Sequence, residues 1–270
     1  MVYYWAATAE MSKMNASVRR LLLLNNTPRP EATLPVLDDL MGQGWTSDQF
    51  WGGGGEFPTD VSAYSGVVIS GSPAAAYDEV GWVAAEHVLI QRMAQQRVPM
   101  LGICFGSQIL ASALCGRDQV FRRKWCEVGH LPLTLKPEAA EDPLFYGMPP
   151  RPEMFVWHND EVRSDHHDMM VLAVTDDCPN QIWRHRALPV WGVQGHLELR
   201  PADAPVWFER NRTSLEKDGA DVTALLQGVH GNALWENVFR RFLDFCVHGA
   251  SVLGPSLVPA AAARTDYSRV

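Results

Sequence analysis

The sequence is poor in cysteine, and the cysteines it has form no pattern. Cys104, Cys115, Cys126, Cys178 and Cys246 are the five in 270 residues, with no CxxC pair and no regular short spacing. That excludes a disulfide framework or a zinc-finger lattice and leaves reduced thiols as the reading. Long hydrophobic runs are also missing. The only early apolar cluster, Leu21 to Leu24 after Arg19 and Arg20, is far too short for a membrane span or a signal-peptide core. Positive charge is scarce, with 23 Lys and Arg against 31 Asp and Glu for a formal net charge of −8, which argues against nucleic acid or an anionic membrane as partner. There is no GxxxxGK[ST] phosphate loop and no internal repeat. We therefore expect a cytoplasmic protein with no cofactor and no bound metal, acting on a small molecule. Asp165-His166-His167-Asp168 is set aside as a metal site, because adjacent histidines in an extended loop diverge.

The pattern that is present is that of an α/β domain. Residues 1–17 show no clean period and read as an extension, 18–249 as one domain, and the Ala/Pro/Ser-rich 250–270 as a tail. "RRLLLL", "SGVVIS" and "PMLGI" are buried-strand candidates, separated by helical spacing at 32–41 and 80–96 and followed by a helix over 107–115. Fully apolar strands alternating with helices predict a mostly parallel central sheet covered by helices on both faces. After Gly116 come shorter strand candidates, "LPLTL", "MFVWH", "MVLAVT" and "ALPVWGVQGH", and then helices near 203–217 and 233–247. The Gly52–Gly55 run reads as a flexible loop.

The chemistry concentrates at "LGICFGSQ". A cysteine between glycines at a strand-to-helix corner has the form of a nucleophile elbow, Gly-x-nucleophile-x-Gly. At Cys104 the following helix N-terminus would favour a thiolate, and the next amide, that of Phe105, would point at a developing oxyanion. A buried structural cysteine is the alternative. A nucleophilic cysteine needs a base and a group to orient it. "VWGVQGHLEL" supplies both, since His196 and Glu198 are two apart on an extended segment and point the same way. The Ser70-Gly71-Ser72-Pro73 turn ends the strand before the elbow strand, where its amides could complete an oxyanion hole.

Taken together and in this order, "VVISGSP", "LGICFGSQ", "VWHNDEV" and "WGVQGHLEL" resemble the class I glutamine amidotransferase family, over about residues 18–200. The resemblance implies a flavodoxin-like sheet and a Cys-His-Glu hydrolase. It makes Cys104 the nucleophile, His196 the base and Glu198 its orienter, with Ser72 and Phe105 giving the oxyanion amides. It places Gln108, His158 and Asp160 at the substrate. It also implies cleavage of a γ-glutamyl amide such as glutamine through a thioester, and a partner synthetase subunit. Stand-alone members related to the glutaminase half of GMP synthetase, and γ-glutamyl peptidases, share most with it. Three residues depart from the family pattern: Ser72 and Ser107 stand where Gly or His is usual, and Leu197 replaces the proline of H-P-E. Loss of proline's fixed φ would let the His–Glu pair drift. The alternatives are a γ-glutamyl peptidase and a silent binding subunit.

Overall fold

A computed structural model describes residues 18–39, 41, 44–229 and 234–249; the 1–17 and 250–270 segments of the domain plan lie outside these. The chain forms an α/β fold around an eight-stranded mixed sheet of order β2-β1-β3-β4-β10-β9-β8-β6. Strands β1 (Arg19–Leu24), β2 (Trp45–Phe50), β3 (Gly66–Ile69), β4 (Met100–Ile103) and β10 (Val190–Val193) run parallel. Strands β9 (Ile182–His185), β8 (Met169–Val174) and β6 (Thr134–Leu135) continue it antiparallel. A separate antiparallel ribbon pairs β5 (Val120–Pro132) with β7 (Glu153–Val162) and is shifted in register between Arg122 and Glu127.

The helices are α1 (Pro35–Asp38), α2 (Gly81–Gln95), α3 (Phe105–Cys115), α4 (Ala204–Lys217), α5 (Val222–Gln227) and α6 (Leu234–His248). Four of them cover the two faces of the sheet, as strand alternation shows, while α4 and α5 pack on Phe155 of the ribbon. Leu21, Leu23, Val68, Leu101, Ile103, Trp191 and Val193 pack with Val36 and Leu37 of α1 and with Trp235, Val238, Phe239 and Phe242 of α6. On the other face Leu22, Leu24, Val67, Ile69, Met100 and Val190 meet Val83, Ile90 and Met93 of α2 and Ile109 and Leu110 of α3. Trp235, Val238, Phe239 and Phe242 of the last helix are thus core.

Several expected bounds change. The helix expected over 32–41 is a single turn, Pro35–Asp38. Strands β2 and β9 and helix α5 have no counterpart among the sequence expectations. The strand expected at "LPLTL" is the end of a thirteen-residue strand followed by a two-residue one. Gly52–Gly54 is a turn of 3₁₀ helix rather than an open loop, with Gly53 N–H donating to Asn25 O at 3.2 Å. Among the described residues no helix is long and apolar enough to cross a membrane.

Candidate active site

The parallel strands share one carboxyl edge, with Leu24 level with Ile69, Ile69 with Gly102 and Ile103 with Val193. Cys104 stands at that edge, between β4 and α3. Its N–H donates to Val193 O at 2.8 Å, and its backbone is held at φ 52°, ψ −109°, a region that side-chain-bearing residues avoid. The flanking glycines are steric requirements. A Cβ on Gly102 would lie 2.3 Å from Gly106 O, and one on Gly106 would lie 2.2 Å from Ile69 O. Only without side chains can α3 turn back so tightly on β3 and β4.

The segment after β10 brings His196 to the same place. Its N–H donates to Phe155 O at 2.8 Å, and its Nδ1–H donates to Glu198 Oε1 at 2.7 Å. Gly71 measures the convergence: a Cβ built there would be 3.5 Å from Cys104 Cβ and 3.6 Å from His196 Cε1. His196 Nε2 is buried without a hydrogen bond of its own, next to the Cys104 side chain. Burial alone would push the imidazole down. The Glu198 charge, with help from Cys104, overrides burial and holds it well above its ordinary value. Leu197, between His196 and Glu198, is only 2 % exposed and is packed into the core, so burial anchors the segment that carries the pair.

Ser70, Gly71 and Ser72 form the wall opposite. Ser70 Oγ accepts from Asn26 N–H at 2.9 Å and donates to Gly71 O at 3.1 Å, while Ser72 Oγ accepts from Ala74 N–H at 3.2 Å. Phe105 is the first residue of α3, so its N–H has no intrahelical acceptor.

Behind Cys104 lies a buried polar lattice. Gln108 Nε2 donates to Asp160 O at 3.1 Å and to Gln194 Oε1 at 3.2 Å, and Gln194 Nε2 lies 3.8 Å from Cys104 Sγ. The thiol in turn lies 3.8 Å from Trp157 O. Both ring nitrogens of His158 are occupied, Nε2 by Glu127 Oε2 at 2.7 Å and Nδ1 by Asp160 O at 2.9 Å. Glu127 also accepts from Thr175 at 2.5 Å and Gln181 at 2.6 Å. Burial would raise its carboxyl, but the bonds from His158 and Thr175 bring it below its ordinary value. The Asp160 carboxylate accepts from Tyr77 at 2.9 Å and faces Arg122 at 3.5 Å. Burial raises Asp160, and burial together with Asp160 pushes the Tyr77 hydroxyl up to about 12.

The structure thus brings Cys104, His196, Glu198, Phe105, Gln108 and the Ser70–Ser72 turn together, and it sets the side chains of His158 and Asp160 one layer back. Sequence reading missed Gln194, Glu127 and the Trp157 carbonyl. Gln194 lay inside a quoted motif, whereas Glu127 had no local signal. Among the described residues two clusters have metal-ligand chemistry, Glu127 with His158 and Cys178, and His166 with His167 and Asp168, each with its ligand atoms within 4.8 Å of one another. The second corrects the expectation of divergent histidines, because the two rings lie side by side, tilted, with centroids 4.4 Å apart.

An α/β sheet presenting a cysteine at a strained strand-to-helix corner, beside a buried histidine, defines the broad class. The sequence profile described as "Glutamine amidotransferase class-I" matches residues 56–211, more than half of the chain. The chain belongs to that family. It is 32% identical over 144 residues to a glutamine-hydrolyzing GMP synthase of Porphyromonas gingivalis, covering 53% of this chain and 27% of that one. It is also 32% identical over 135 residues to a separate subunit of the glutamine-hydrolyzing GMP synthase of Pyrococcus abyssi, covering 50% of this chain and 66% of that one. The match therefore spans about a quarter of the full-length synthase and two thirds of the separate subunit. A crystal structure of a glutamine amidotransferase from Thermotoga maritima superposes with a TM-score of 0.74 at 25% identity, covering 86% of this chain and 99% of the other.

Proposed function

We propose that the chain is a cysteine hydrolase of γ-glutamyl amides, with glutamine as the reference substrate. The single observation that carries this reading is the strained corner that holds Cys104 beside the raised imidazole of the His196–Glu198 pair. In the mechanism, the Cys104 thiolate attacks the side-chain carbonyl carbon, and the carbonyl electron pair moves onto oxygen. The N–H groups of Ser72 and Phe105 hold that oxyanion. His196, protonated and held by Glu198, gives its Nε2 proton to the leaving nitrogen as the C–N bond breaks, leaving a γ-glutamyl thioester. The now neutral imidazole takes a proton from water, the hydroxide adds to the thioester, and glutamate departs as the thiolate is restored.

Gln108 fixes the pocket through Gln194 and the Asp160 carbonyl, while His158 and the Asp160 side chain brace that wall from behind. The strand order β2-β1-β3-β4-β10 agrees with a flavodoxin-like sheet, whose crevice lies outside the carboxyl ends of the strands. Five free thiols fit a reducing cytoplasm. Relatives in which this part of GMP synthase is a separate chain support a synthetase partner that would receive the ammonia.

One observation favours a second reading, a γ-glutamyl peptidase or amine hydrolase. The His196 ring, which must touch the leaving nitrogen, lies 5.8 Å from the partly buried Trp207, itself 5.6 Å from Trp157. Such an aromatic wall suits an organic leaving group better than ammonia.

The test is glutamate release from glutamine and from a panel of γ-glutamyl amides and peptides, by the chain and its Cys104→Ala variant, followed by mass spectrometry. Release that depends on Cys104 supports the hydrolase, and the preferred substrate chooses the leaving group. No release, with no labelling of Cys104 by an electrophilic glutamine analogue, would leave the reading of a silent binding protein in its place.

A further inference from the structure

Glu86 is a carboxyl in the middle of α2 that the mechanism does not use, and it is completely buried. Its one side-chain hydrogen-bonding partner among the described residues is Asn26, just past the end of β1, whose Nδ2–H donates to Glu86 Oε1 at 2.8 Å. The other two oxygens of this pair, Glu86 Oε2 and Asn26 Oδ1, are both buried without a partner. A carboxylate opposite an amide leaves such a remainder, because neither oxygen can donate. A carboxylic acid removes it, since its O–H can donate to the amide oxygen while the amide N–H donates to the acid carbonyl. The cost of an unmade buried bond favours that closed pair.

Asn26 is also the junction of three segments around the site. Gly52 lies so close that a Cβ there would be 2.3 Å from Asn26 Oδ1, which ties the pair to the 3₁₀ turn. The Asn26 N–H holds Ser70 Oγ, Ser70 holds Gly71 O, and Gly71 lies against both Cys104 and His196. We propose that Glu86 is a positioning residue: as a neutral acid paired both ways with Asn26, it fixes the Ser70–Ser72 turn over the thiol. The catalytic half of this proposal rests on the hydrolase reading; the pairing itself does not.

Among the described residues no charged group is close enough to act on Glu86, which answers only to burial and to Asn26. The 3₁₀ turn is glycine only, and α3, which packs on α2, brings only Cys115 as a titratable side chain besides the Cys104 corner. His87, next in the chain, is pushed down to about 4 by burial, with Arg117 adding to it. Burial is the dominant influence on Glu86 and raises it to about 8, with Asn26 opposing. The folded value lies above the unfolded one, so the stability this acid confers is complete at low pH and is lost as pH rises toward 8.

The experiment compares the full chain with Glu86→Gln, whose amide mimics the neutral acid. Thermal unfolding is followed from pH 5 to 9, together with kcat and KM for glutamate release. The expected result is that the variant gains in unfolding temperature over the unmodified chain between pH 5 and 8 and holds that gain above. At pH 9, one unit above the value of about 8, some nine in ten Glu86 carboxyls would be ionised. The kcat of the unmodified chain should then be about tenfold lower than that of Glu86→Gln, at unchanged KM. Parallel unfolding curves across the whole range, or a Glu86→Gln chain that does not fold, would overturn the pairing. A gain in unfolding temperature without the difference in kcat would overturn the positioning role. A chain that turns over no substrate overturns the hydrolase reading, and with it that role, while the unfolding curves still decide the pairing.

Discussion

The two halves of the sheet position chemistry by opposite means. In the parallel half, β2 to β10, Cys104 is fixed by backbone and by the absence of side chains: two glycines, a left-handed φ and one N–H bond to Val193. In the antiparallel half and its ribbon, position comes from buried polar side chains, a lattice of Glu127, His158, Thr175 and Gln181 that holds β7 behind the thiol. The first kind of support is all or nothing, because a clash with backbone cannot relax. The second is graded and depends on pH, since each member can be weakened singly.

The sharpest way to break the contrast is Gly106→Val. With even a Cβ meeting Ile69 O at 2.2 Å, we expect no soluble folded chain, checked by expression and circular dichroism. Leu197→Ala should come next, costing about 3 kcal/mol in urea unfolding through the cavity it leaves. It should also lower glutamate release beyond that loss, as the His196–Glu198 pair loosens. Glu127→Gln should cost about 2 kcal/mol at neutral pH. Because Glu127 is held below its ordinary value, its stabilisation is present above the unfolded value and lost as pH falls through the folded one. The gap between variant and unmodified chain should therefore close on acidification. Ser107→Ala should be mildest, about 1 kcal/mol, for the lost bond that Ser107 Oγ accepts from Trp183 Nε1 at 2.9 Å. A Glu127→Gln chain that fails to fold as Gly106→Val does would erase the distinction between the halves.

The same division decides what the sequence could tell. The parallel half was legible because its signals are local: apolar runs for β1, β3 and β4, glycines around Cys104, and a two-residue step from His196 to Glu198. Strand β2 escaped because "WTSDQF" is a half-exposed edge with a polar pattern, and β9 because four residues carry no period. The ribbon was obscured by its irregularity. Its charged residues Arg122, Arg123 and Lys124 fall where the register shifts, and Trp125 there is 71 % exposed, so the stretch reads as loop. The contacts of Glu127 reach residues 31 to 54 positions away, and no window of sequence contains them.

Strand β10 hydrogen-bonds to β4 on one side and to β9 on the other, although nearly ninety residues separate it from β4 in the chain. During synthesis, the corner at Cys104 therefore emerges long before the strand that accepts its N–H bond or the histidine beside it. A nascent chain that has not passed Glu198 carries the Cys104 thiol without the His196–Glu198 pair beside it, and the long loop closed by β10 belongs to the slower events of folding. The order of residues along the chain thus keeps the thiol and the imidazole apart until most of the fold has been made.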